Sequence, residues 1–209
     1  PQQPRLYEYH LKDYLDLREI DLAAYAAGEP GDLAHLRREP LYLVCTNGRR
    51  DQCCARYGPE IYRSMVSVDE AATWQSAHIG GHNKAPVNLF FPHGVHYGQA
   101  TPEDIGALMR AYRAGKVVLE NYRGRVCYAP PVQAAEHFWR AQSGVLDLSG
   151  LTVENVETLN ENEWRVTIKG LADGRSETIP VQRSYSDFEL PLSCSGDKVR
   201  PVETFHRVE

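Results

Sequence analysis

Apolar and polar positions change period several times along the chain, and each change marks an expected element. Arg5-Leu6-Tyr7-Glu8-Tyr9-His10-Leu11 alternates apolar and polar side chains, which predicts a half-buried strand. From Asp13 to Ala27, residues Tyr14, Leu17, Leu22 and Tyr25 recur at roughly helical spacing, with Gly28 as the stop and Glu29-Pro30-Gly31-Asp32 as a turn. Leu41-Tyr42-Leu43-Val44 is a short apolar run ending at Cys45 and predicts a buried strand. The loop Thr46–Asp51 leads into a helix predicted over Gln52–Met65. Trp74–Ala77, Val87–Phe91 and Val95–Gly98 read as strands, the last two joined by the turn Pro92-His93-Gly94. Thr101-Pro102-Glu103-Asp104 supplies a hydroxyl cap, a proline at the first helical position and acids in the first turn. The helix it opens is expected to reach about Ala114, with Ile105, Leu108, Met109 and Tyr112 on one face.

This order of strands and helices is that of a small α/β sandwich of the thioredoxin type. After Gly124 the character changes. Pro130-Pro131 opens a helix to about Gln142, with Val132, Ala135, Phe138 and Trp139 as its buried face and Gly144 as its stop. From Leu151 the pattern is period two. Trp164–Lys169 and Glu177–Val181 flank an Asp173-Gly174 turn as a hairpin, and Leu190–Cys194 and Val199–Phe205 are expected as two more strands around Gly196-Asp197. The expected organisation is a lead-in of strand and helix over 1–37, an α/β unit over 38–125, and a C-terminal helix with a small, mostly antiparallel β region over 126–209.

Composition narrows the function classes. The 209 residues are 42% hydrophobic and 24% charged, which is ordinary for a globular domain and excludes disorder, collagen and coiled coil. The longest apolar stretch, around Leu89-Phe90-Phe91, falls far short of the ~20 residues of a membrane helix. Pro1-Gln2-Gln3-Pro4 lacks the apolar segment of a secretory leader, and an opening proline is what a trimmed chain would show. A net charge of −5 argues against general nucleic-acid binding. The five cysteines (45, 53, 54, 127 and 194) are odd in number, and two are adjacent. They predict a reducing, cytoplasmic location, with the thiols serving as core residues, metal ligands or redox groups.

Four residues stand out by position. Cys45 ends a predicted strand and Cys54 begins the next helix, while His78 and His82 flank Ile79-Gly80-Gly81. In a strand-helix-strand unit the loops at one end of the sheet converge, so two thiolates and two imidazoles can meet there. That donor set suits zinc or an iron–sulfur cluster. The stretch from Val44-Cys45-Thr46-Asn47-Gly48 to Gln52-Cys53-Cys54-Ala55, followed by Trp74-Gln75-Ser76-Ala77-His78-Ile79-Gly80-Gly81-His82, resembles the sucrase/ferredoxin-like family. Members of that family are similar to thioredoxin-like ferredoxins. Ala85–Gly98 is separately similar to the strand pair of thioredoxin-like [2Fe–2S] ferredoxins, in which a cysteine pair stands where His78 and His82 stand here. The resemblance is strong over residues 38 to 125. It implies a thioredoxin-like ferredoxin fold and a [2Fe–2S] cluster, with Cys45 and Cys54 on one iron and His78 and His82 on the other. Pro86 stands where thioredoxin folds usually hold a cis-proline, and the sequence leaves its isomer open. Asn83-Lys84 departs from the family, in which arginine is common after the second histidine.

Other readings stand beside this one. Cys53 would give a seven-residue gap from Cys45, but the family register selects Cys54 and leaves Cys53 as a small core hydrophobe. Cys127 and Cys194 sit in apolar contexts and are expected to be buried thiols. His93 and His96 are expected to be solvated residues of turn and strand rather than a second metal pair, and His137 a surface or interdomain side chain. Arg49, Arg50, Asp51 and Lys84 are expected to be solvated, forming a charged rim for a redox partner. No Cys-x-x-Cys, phosphate loop or serine elbow is present. The resemblance therefore implies a proton-coupled one-electron carrier without substrate turnover, meeting a redox protein partner and neither nucleic acid nor membrane. A homodimer is compatible with the sequence. The rivals are a structural Cys2His2 zinc site, against which the gap from Cys45 to Cys54 speaks, and a thiol oxidoreductase using Cys53 or Cys54.

Overall fold

The computed structural model describes residues 3–49, 52–80, 84–192, 196 and 198–208. At the N-terminus β1 (Leu6–Tyr7) pairs antiparallel with β2 (Leu36–Arg37), so the alternating run at 5–11 yields only two strand residues. The helix expected over 13–27 is broken into a 3₁₀ turn, Tyr14–Glu19, and α1 (Leu22–Ala26). Each piece has its own carboxylate cap: Asp13 accepts from the Leu15 N–H and Asp21 from the Ala24 N–H. The second cap restarts the helix, which explains the break.

Next come β3 (Leu41–Cys45), α2 (Gln52–Val68), β4 (Thr73–Ser76), β5 (Val87–Phe91), β6 (Val95–Gly98), α3 (Pro102–Arg113) and β7 (Tyr122–Arg125). The five strands form one sheet in the order β4-β3-β5-β6-β7. Only the β3–β4 pair runs parallel, joined by the crossover helix α2, whereas β6 and β7 pair antiparallel although α3 lies between them. This is the thioredoxin-like α/β arrangement expected, with β7 added at one edge. Along β3, Tyr42 and Val44 are fully buried while Leu41 and Leu43 are half-buried, so the strand alternates rather than being covered on both faces. Ile61 and Met65 of α2, and Ile105, Leu108, Met109 and Tyr112 of α3, pack with Tyr42, Phe90 and Tyr97 into the main core. Thr101 and Asp104 cap α3 as the sequence predicts, the Thr101 N–H donating to Asp104 Oδ2 at 2.7 Å. The Ala85–Pro86 bond is cis, as is Phe91–Pro92.

α4 (Pro130–Ser143) leads to β8 (Leu151–Asn160), β9 (Glu163–Gly170), β10 (Ser176–Pro191) and β11 (Val199–Arg207), an antiparallel sheet ordered β11-β10-β9-β8. Leu190–Pro191 is not a separate strand. It is the end of β10, which runs from Ser176 to Pro191 with a bulge between Tyr185 and Glu189; Cys194 lies outside the described residues. Val132, Ala135 and Trp139 of α4 pack on Val166, Ile168, Ile179 and Val181. The helix also buries a polar side that the apolar pattern does not indicate. Glu136 Oε1 accepts from Arg125 Nε at 3.0 Å and Nη2 at 2.9 Å, and from Arg140 Nε at 3.0 Å.

His93 and His96 are not solvated. Both are half-buried, and the His93 Nδ1 lies 2.9 Å from the Tyr112 hydroxyl. Burial, aided by Arg125, pushes His93 down to about 4; burial with Lys84 and Arg123 does the same to His96. Their ordinary value in the unfolded chain is about 6.5. Between these values the unfolded chain binds protons that the folded chain excludes, so folding stability is expected to fall as pH drops from about 6.5 to about 4. Urea unfolding at stepped pH checks this. The loss over that window should be smaller in His93→Gln and His96→Gln than in the parent.

Candidate metal centre

The parallel register of β3 and β4 pairs Cys45 with Ser76, so His78 begins its loop two residues beyond the end of the Cys45 strand. Cys54 lies in the first turn of α2, where the N–H groups and the helix dipole favour a thiolate. Cys45 and Cys54 are both buried thiols, and they form a small core with Val87, Ile79 and Ala85. The donor atoms of Cys45, Cys54 and His78 all lie within 4.8 Å of one another. Among the described residues this is the one group of three or more potential ligands that comes together. His82 lies outside the described residues, as do Arg50 and Asp51. Gly80, in the same loop, has φ +102°, a backbone state that a side chain would strain.

A residue that the sequence reading passed over shapes this site. Gly58 sits inside α2, and a Cβ there would lie 2.2 Å from the Cys45 carbonyl oxygen and 3.2 Å from Thr46 Cα. The helix backbone therefore presses directly on the end of the strand that carries Cys45. The available signal was a glycine within a helical pattern, which costs about 1 kcal/mol relative to alanine and calls for a packing reason.

The remaining cysteines behave differently from expectation. Cys53 is half-buried and disulfide-bonded, so it is not a core thiol. Cys127 is exposed because it follows the end of β7 in the turn before α4. Arg49 is exposed as predicted, whereas Lys84 is half-buried.

The model of the sucrase/ferredoxin-like family matches residues 3–124. The chain belongs to that family. The match takes in the N-terminal lead-in as well as the α/β unit. Curated relatives of this sucrase/ferredoxin-like chain include Altered inheritance of mitochondria protein 32 from Meyerozyma guilliermondii, 32% identical over 99 residues, 42% of this chain and 35% of that protein. The protein of the same name from Candida glabrata is 25% identical over 104 residues, 43% of this chain and 33% of that protein. The chain thus spans about a third of the length of these relatives. Among solved structures, it is similar to the thioredoxin-like [2Fe–2S] ferredoxin from Aquifex aeolicus, at 19% identity and a TM-score of 0.37, over 43% of this chain and 100% of that one. A cysteine-to-serine variant of that ferredoxin has a TM-score of 0.38, 19% identity and coverage of 42% and 100%. Among the described residues no helix is long and apolar enough to cross a membrane. The cytoplasmic location expected from the sequence draws nothing from the relatives' names, which refer to mitochondria.

Proposed function

We propose that this chain is an electron-transfer protein that holds a Rieske-like [2Fe–2S] cluster on Cys45, Cys54, His78 and His82. The observation that carries the reading is the approach of the two thiols and His78 within 4.8 Å, in a buried corner where the strand end, the helix start and the histidine loop converge. His82 joins them on the strength of the family motif, four residues beyond His78. Such a cluster, when bound, takes up and releases one electron. The chain's part is to shield the two cysteines from water and to offer a helix N-terminus that stabilises their negative charge. Each imidazole keeps a second ring nitrogen that can carry a proton, so electron uptake can bring a proton with it. We further propose a redox protein as partner, met on the face where Arg49 is exposed.

The same donors would hold zinc, and metal analysis separates the two. A thiol oxidoreductase acting through Cys54 is disfavoured because that thiol is 0% exposed, out of reach of a substrate. Anaerobically purified protein, expressed with ample iron, is expected to contain about two iron and two acid-labile sulfide per chain and a Rieske-like EPR signal on reduction. Its potential should fall with rising pH by about 59 mV per unit where one proton accompanies the electron. Stoichiometric zinc without sulfide would overturn the reading.

A further inference from the structure

Away from the cysteines, a cavity of about 670 Å³ lies between the segment before β5 that carries Lys84, strand β7 with Arg123, helix α4 and strand β11. That size is within the usual range for small-molecule sites. Its cationic corner is held by the backbone. The Gln99 N–H donates to the Lys84 carbonyl at 2.9 Å and to the Pro86 carbonyl at 3.1 Å, while Gln99 Oε1 accepts from Arg123 Nη2 at 2.6 Å. Gly98 lets the two segments close up, since a Cβ there would lie 2.9 Å from the Lys84 carbonyl oxygen and 3.4 Å from Arg123 Nε.

The charges in this corner are not balanced. Arg123 Nε is buried without a hydrogen-bond partner among the described residues. Among those residues no carboxylate reaches Lys84 or Arg123 within 4.0 Å, and the acid on the lining, Glu203, is engaged by Arg183 at 3.2 Å. A buried guanidinium N–H left without an acceptor is costly, so the corner favours an incoming anion. The His137 and His206 rings also line the cavity, the His206 Nε2 lying 2.8 Å from the Ser184 hydroxyl, and Phe138, Phe205, Leu190 and Val202 form an apolar wall.

We propose that this cavity binds a small organic anion, with a carboxylate or phosphate headgroup between Lys84 and Arg123 and an apolar body against Phe138 and Phe205. Calorimetric titration of the intact chain at constant ionic strength, with phenyl phosphate, benzoate and inorganic phosphate as probes, tests it. At least one aromatic anion should bind saturably and more tightly than inorganic phosphate, and the preference between the two identifies the headgroup. Arg123→Gln and Lys84→Gln should each weaken that binding about tenfold or more, as expected for loss of a charge-assisted contact. Binding should also shift the His137 and His206 ring resonances of the unsubstituted protein, a readout that does not depend on either variant folding. The proposal is overturned if neither aromatic anion saturates, if inorganic phosphate binds as tightly as they do, or if binding survives both substitutions unchanged.

Discussion

Cys45→Ser and Cys54→Ser are each expected to lose nearly all bound iron and sulfide, while Cys53→Ser keeps both. A serine hydroxyl is a poor ligand at neutral pH beside a thiolate, and loss of a direct ligand should exceed the ~10–100-fold penalty typical of outer-shell changes. Both cysteines are buried, so the replacing hydroxyl would face the same site with little water to take over its role. Gly58→Ala provides a separate test of the site's architecture, since it alters no donor. Its Cβ would meet the Cys45 carbonyl at 2.2 Å, so α2 or the strand end must give way. Overpacking of this kind costs about 1–3 kcal/mol, and it should loosen the cluster as well as the fold. Iron, sulfide and visible absorbance across the four variants check these outcomes. If Cys53→Ser bleaches the protein and Cys54→Ser does not, the ligand register is off by one. Replacing His78 or His82 with cysteine should retain a cluster at a lower potential, because an added thiolate brings negative charge.

Glu136→Gln is expected to destabilise the protein by about 3–5 kcal/mol, the range for removing one partner of a buried ion pair. Glu136 and Arg140 are 0% exposed and Arg125 is 3% exposed, so both guanidiniums would be left in a dry interior without their carboxylate. Arg140 has further bonds, donating to the Val145 and Asp147 carbonyls at 2.9 and 3.0 Å. Arg125 lacks that support and depends more heavily on Glu136; beyond it, the guanidinium lies over the Tyr128 ring. The triad joins β7 to α4, and α4 in turn packs on the C-terminal sheet. The loss should therefore appear in the whole unfolding transition rather than in local fraying. Denaturant unfolding measures it. A triple replacement of Arg125, Glu136 and Arg140 by apolar residues of similar volume should recover most of the stability, and failure to recover would mean the triad contributes more than charge balance.

Elements defined by local chemistry were legible before any coordinates. The cap at Thr101–Asp104, the proline start of α4, the Asp173-Gly174 hairpin and the strands around Pro92-His93-Gly94 all depend on residues close together in the chain. The positions of the candidate ligands were legible as well: Cys45 at a strand end, Cys54 in a first helical turn and His78 on a glycine loop are places that period and punctuation mark. The break at Asp21 was visible too, as an acidic residue with cap chemistry in the middle of a helical pattern, but periodicity outweighed it.

What tertiary structure decided was the environment of polar groups. Hydropathy places Glu136 and Arg140 on the solvent side of a helix, yet α4 lies between two sheets and has little solvent side. Lys84, His93 and His96 read as surface residues, but they are half-buried because Gln99, Tyr112 and Arg123 arrive from strands and helices well separated in sequence. The closeness of Gly58 to the Cys45 carbonyl is likewise a contact between backbones that no periodicity reports. The physical reason is common to these cases. Local pattern records what a residue's neighbours in the chain prefer, whereas burial of a charge depends on which distant segments surround it and on whether they bring its partner.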